Sequence, residues 1–183
     1  MGLYAVAWNL AAVIDTLVTR RCDVYFSMLS RRGDHDSQAA WHKKTCARIT
    51  RFALPGGFAV VALSPLVIRA LYDVRYRASG LLFAVLIARE LVRGLGQVQF
   101  QFLLARAEVH LATRAYFVAM LVQFSLFLLL VPRLGAIGMA LSAFASASAL
   151  TFIQTWLLAR RTGWGMAGFA ATLDGATELA ASR

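Results

Sequence analysis

The sequence predicts an all-α protein, a polytopic transmembrane helix bundle of about five spans. Three observations lead there. Hydrophobic residues make up 60% of the 183, where a soluble domain is usually nearer half apolar. Five stretches approach the roughly 20 apolar residues that a helix needs to cross a bilayer. No alternation with a period of two, the mark of a half-buried strand, competes with them.

The expected spans follow one another along residues 1–161. The first, 2–19, is apolar apart from such residues as Asn9 and Asp15. The second is 52–71, and the third, 79–104, holds all but the last two residues of the stretch "LLFAVLIARELVRGLGQVQFQFLLAR". The fourth is 115–131. The fifth, 136–159, is rich in Ala, Ser and Gly. Small residues let helix backbones approach closely in lipid, so this span is expected to pack against its neighbours. Residues 162–183 read as a tail of small and mixed polar residues.

The basic residues carry the orientation. If five spans alternate sides, thirteen Lys and Arg fall on one side and four on the other, with Arg89 and Arg93 inside the third span. This is the positive-inside pattern. It places the 20–51 connection, the connection after the third span and the C-terminus in the cytoplasm. It also accounts for the formal net charge of +10 without nucleic acid as a partner.

Within the 20–51 connection, "GDHDS" reads as a turn. Ser37 is expected to cap a basic helix, "SQAAWHKKTCARITRF", with Trp41, Ile49 and Phe52 on its apolar side. Such a helix is expected to lie in the cytoplasmic headgroup region.

The third span holds the candidate site. Arg89, Arg93, Gln97 and Gln101 are spaced by four, which makes one slowly drifting stripe on a single helix face. Glu90 lies beside it, three residues before Arg93, and is a candidate ion-pair or coupling residue. Gly94 and Gly96 admit a close neighbouring backbone. A charge at the bilayer centre costs roughly 2.5–3.5 kcal/mol on insertion scales. The stripe is therefore expected to face an internal aqueous path, binding a polar or anionic cargo. The structural alternative for Glu90 is an ion pair that locks two helices together. Asp15, near the cytoplasmic end of the first span, is expected to pair with a cation such as Arg20, with a role in ion coupling as the alternative.

Other motifs point away from catalysis. Cys22 and Cys46 form no zinc or disulfide spacing and read as two free thiols. "GWGMAG" matches GxGxxG by letter, but it follows a membrane helix rather than a strand. "DHD" at 34–36 reads as a solvated loop rather than a metal site. No GxxxxGK[ST] occurs, and none of His35, His42 and His110 joins a catalytic arrangement. The expectation is no enzyme activity, no metal and no cofactor. The opening Met-Gly-Leu-Tyr shows neither the basic region of a signal peptide nor a myristoylation signal.

Four stretches carry a resemblance to a known family. They are "GLYAVAWNLAAVIDTLVTRR", "DVYFSMLSRR", "SPLVIRALYDVRYRASGLL" and "VPRLGAIGMALSAFAS". In this order and spacing the chain resembles the lipid-linked oligosaccharide flippases of the MATE/MOP transporter superfamily, the O-antigen and polysaccharide exporters. Ser27 stands where the family has proline, and Asp73 where it has glycine. The likeness covers only part of one lobe, the second, so the chain is expected to be a C-terminal part that lacks an N-terminal lobe. The resemblance implies an inner-membrane protein that moves a lipid-linked glycan by alternating access, beside glycan-assembly enzymes. It also implies a cavity that is cationic where it meets pyrophosphate, a role that suits Arg89 and Arg93. The alternatives are a drug or metabolite exporter of the same superfamily and a non-transporting membrane scaffold.

Overall fold

The computed structural model describes residues 2–31, 33–71 and 79–162. Among them the chain is all-helical: α1 is Gly2–Ser30, α2 His35–Leu71, α3 Ser79–Ala105, α4 Val109–Leu134 and α5 Ala136–Thr162. The "GWGMAG" stretch, Asp73 and the C-terminal tail lie outside the described residues.

The expected long connection over 20–51 is mostly helix. α1 runs on to Ser30. Ser27 keeps the backbone N–H that a proline would lack, so nothing breaks the helix there. The next helix is capped by Asp34 and not by Ser37: an Asp34 carboxylate oxygen accepts from the Ser37 N–H at 3.1 Å. The Asp34 carbonyl accepts from the Gln38 N–H at 3.0 Å. A carboxylate satisfies the orphan donors and favours the positive end of the helix dipole.

From there α2 continues through Leu71 without interruption. The basic stretch and the second expected span are thus parts of one helix. Trp41 and Ile49 face the bundle and pack on its core, while Lys43, Lys44, Arg48 and Arg51 stay exposed. The Phe52 side chain lies outside the described residues. Pro55 and Pro65 both sit inside α2. Pro65 has no N–H to give the Val61 carbonyl; the Ser64 hydroxyl donates to that carbonyl instead, at 2.8 Å.

Two tight turns join the later helices. After α3, the Glu108 N–H reaches the Leu103 carbonyl and the Ala107 N–H reaches the Leu104 carbonyl, both at 2.9 Å. This is a Schellman cap, with Ala107 at φ 58° where glycine is usual. Between α4 and α5 stands only Gly135, at φ 56°. At Gly138 a Cβ would lie 2.4 Å from the Leu130 carbonyl oxygen. The hairpin can fold back this sharply because that position carries no side chain.

α3 is the central helix, packed by α1, α2 and α5, and α4 packs chiefly on α5. At one end Cys22, Tyr25, Leu29, Val98, Phe102 and Leu158 cluster. At the other Ala7, Ile68, Leu82, Leu86 and Ala140 do. Consecutive helices therefore run in opposite directions. The α4–α5 contact uses small residues, with Ala115 and Ala119 against Leu150 and the Ser146 hydroxyl donating to the Ala119 carbonyl at 3.0 Å. This is the packing expected from the composition of the fifth stretch.

The apolar surface points outward. Phe117, Leu121, Phe124, Leu128 and Leu129 on α4 are exposed. Two helices are long and apolar enough to cross a membrane, over Val109–Leu134 and Ala136–Arg160. Only 11% of the most apolar window of the first is buried, unlike the core helix of a soluble bundle. In α3, by contrast, Arg89, Glu90 and Arg93 interrupt the apolar run.

Candidate functional site: a charged layer on the central helix

Helical periodicity brings Arg89, Arg93, Gln97 and Gln101 onto one face of α3, and all four are half-buried. The stripe is about 18 Å long at a rise of roughly 1.5 Å per residue. Glu90 is the buried member of the layer, at 3% exposure. It accepts from Arg89 Nη1 and from Arg93 Nε at 2.8 Å. Among the described residues both of these ion pairs lie within α3, where Glu90 gathers the two guanidiniums. A buried carboxylate between two cations leaves a layer of net positive charge.

Neighbouring helices supply the walls. The Arg89 guanidinium lies over the Trp8 ring of α1, with Cζ 5.0 Å from the ring centroid. On the other side Arg93 is within electrostatic reach of the Tyr116 phenol of α4, and Tyr116 meets Phe100 edge-on at 5.5 Å. α1 and α4 share no substantial interface, which leaves the stripe half-exposed between them. Cation–π contact holds a guanidinium in place without consuming its in-plane donors, so the layer can meet an anion edge-on.

α5 presses on α3 at Gly96, beside the Arg89 end of the stripe. A Cβ there would stand 2.6 Å from Thr151 Oγ1 and 3.3 Å from Gln154 Oε1. The Thr151 hydroxyl donates to the Val92 carbonyl at 2.9 Å. Of the two expected glycines, Gly96 is thus a close-approach position. Gln154 is fully buried on this seam, with neither side-chain polar atom bonded among the described residues. A cleft of about 30 Å³ beside it is lined by Cys46, Gln99, Thr151 and Thr155 among others, room for about one water.

Asp15 lies on α1, but its side chain is outside the described residues, so its expected pairing with Arg20 is not placed. Asp34, His35 and Asp36 are exposed at the start of α2. Among the described residues no three His, Cys, Asp or Glu side chains are grouped to hold a metal ion.

Sequence reasoning missed a second polar group. Gln99 points away from the stripe and is buried, at 7% exposure. It meets His42 of α2, and His42 meets Tyr25 of α1. The partners are 57 and 17 residues apart in the chain, so no local spacing signals them. The only hint was His42 and Cys46 at a spacing of four, on the side of the helix that carries Ile49.

Comparisons with protein-family models, curated proteins and solved structures give no match to this chain.

Proposed function

We propose that the chain is a five-span membrane domain forming one side of a translocation path for a lipid-linked oligosaccharide or polysaccharide repeat unit. It works by alternating access in the bacterial inner membrane, as the C-terminal part of a larger flippase, with its own C-terminus in the cytoplasm. The reading rests on the resemblance carried by the four sequence stretches and on the physics of the charged layer.

The observation that carries it is the Arg89–Glu90–Arg93 layer. Arg89 lies about 15 Å along the axis from Ser79 and about 24 Å from Ala105, at 1.5 Å per residue. That is mid-depth for a hydrocarbon core of roughly 30 Å. Charges at that depth need a polar surround, and the stripe stands between α1 and α4 rather than on the apolar outer face of α4. Two guanidiniums against one carboxylate suit an anionic headgroup such as a pyrophosphate better than a cationic drug. The exposed apolar face of α4 supports lipid as the medium around the bundle. Trp156, with the Arg160 guanidinium 4.0 Å from its ring centroid, suits an anchor at the cytoplasmic interface.

The test is Arg89→Ala and Arg93→Ala in a full-length flippase context, with glycan export and membrane insertion measured separately. Export should be lost and insertion kept. Export at the wild-type level in both variants would remove the cargo-contact role.

A further inference from the structure

One face of α2 changes character along its length. At about 100° per residue, Lys44, Arg48, Arg51, Pro55, Phe58 and Leu66 fall on a single side, and all six are exposed. The first three are cations and the last three are apolar, with Phe58 78% and Leu66 57% exposed. The change falls within about one turn, between Arg51 and Pro55, where the apolar stretch Pro55–Leu66 begins. The opposite side of α2 is fixed against the bundle. Ile49 packs on the core there, Ile68 is buried, and a Cβ on Gly57 would run into the Leu91 side chain of α3. These contacts set the rotation of α2 and turn the mixed face outward, away from α3.

We propose that Arg48 and Arg51 bind the phosphate of an anionic phospholipid, whose acyl chains run down the apolar continuation of the same face past Phe58. The site rests on the membrane-spanning reading of the chain and not on its cargo. Residues three apart are neighbours on a helix surface, here about 4.5 Å apart along the axis, and the guanidinium fork matches phosphate oxygens. Side chains on a helix lean toward its N-terminus, and in α2 that is the end that leaves the apolar stretch. Both arginines therefore reach into the headgroup layer. Among the described residues neither pairs with a carboxylate. Asp36, the only acid of α2, lies about 18 Å along the axis from Arg48.

Depth selects lipid as the occupant. The headgroup layer is roughly 5–8 Å thick on each side of the hydrocarbon. With Arg51 at its inner edge, Arg48 stands within that layer, whereas Lys44 stands about 10 Å out, beyond it. A soluble acidic partner could meet Lys44, but at the level of Arg51 the outward face of α2 meets lipid.

Recovery of the full chain in the membrane fraction is measured first; a chain that stays in solution would overturn the spanning reading and this site with it. The recovered chain, in detergent micelles, is then titrated with phosphatidylglycerol or phosphatidylcholine, and native mass spectrometry gives the affinity of the first bound lipid. Phosphatidylglycerol should bind more tightly than phosphatidylcholine. Its affinity should fall about 5-fold in Arg48→Gln and in Arg51→Gln, and about 30-fold in the double variant. Lys44→Gln removes the same charge from the same face outside the headgroup layer, and Arg114→Gln removes it from another helix; both should bind as the wild type does. Equal binding of the two lipids, an unchanged affinity in the double variant, or an equal loss in Lys44→Gln or Arg114→Gln would overturn the site. So would displacement of the lipid by inorganic phosphate, which would mark a site for a free anion.

Discussion

Gly96→Ala tests the contact between the two helices that matter most for the site. The added Cβ would stand 2.6 Å from Thr151 Oγ1, closer than carbon and oxygen pack. Thr151 cannot swing away freely, because its hydroxyl is held at 2.9 Å by the Val92 carbonyl. Overpacking of this kind costs about 1–3 kcal/mol, while replacing a helix-interior glycine by alanine returns about 1 kcal/mol of helix propensity. The net expectation is a destabilisation of about 0–2 kcal/mol. Thr151→Ala alone loses one interhelical hydrogen bond, about 0.6 kcal/mol in a membrane setting. In that background the nearest obstacle is gone and Gln154 Oε1 at 3.3 Å need give only slightly, so Gly96→Ala should turn stabilising by up to about 1 kcal/mol. The double-mutant cycle therefore has a coupling of about 1–3 kcal/mol, with a reversal of sign. It is read from unfolding in mixed micelles, followed by circular dichroism. If the two changes add within about 0.5 kcal/mol, α5 does not approach α3 at Gly96 and the seam is wrongly drawn.

Three further outcomes are expected. Gly138→Ala drives a Cβ into the Leu130 carbonyl and should open the α4–α5 hairpin, seen as loss of crosslinking between cysteines introduced at positions 115 and 150. Ala107→Gly should stabilise the bundle by about 1 kcal/mol, because the residue sits in the left-handed region that penalises a Cβ; a fall in melting temperature would contradict the cap geometry. Glu90→Gln leaves two cations without their shared anion and should destabilise by up to about 3–5 kcal/mol. Arg93→Gln in the same background should recover part of that loss, as measured by the yield of folded, membrane-inserted protein.

The helical class and the stretches that became helices were legible in the amino-acid order. Hydrophobic run length and the period of the polar stripe are local properties of a chain. Arg89, Glu90 and Arg93 were found for the same reason, since residues three and four apart must share a helix face. The small residues of the fifth stretch likewise announced a close helix contact.

Where helices end and which groups meet across them was decided only by the fold. A cap depends on where the backbone turns, and an aspartate three residues before Ser37 reached the orphan N–H groups first. The first half of α2 is amphipathic in either setting; continuity with the rest of the helix, not composition, turned Trp41 and Ile49 toward a protein core. The Tyr25–His42–Gln99 contacts join three helices through single atoms, and hydrogen bonds of that kind leave no periodic trace in the chain. Local order thus determined which segments are helical and which faces are charged. Packing determined that a lone imidazole touches three helices at once, because that outcome depends on distances between segments that the sequence keeps far apart.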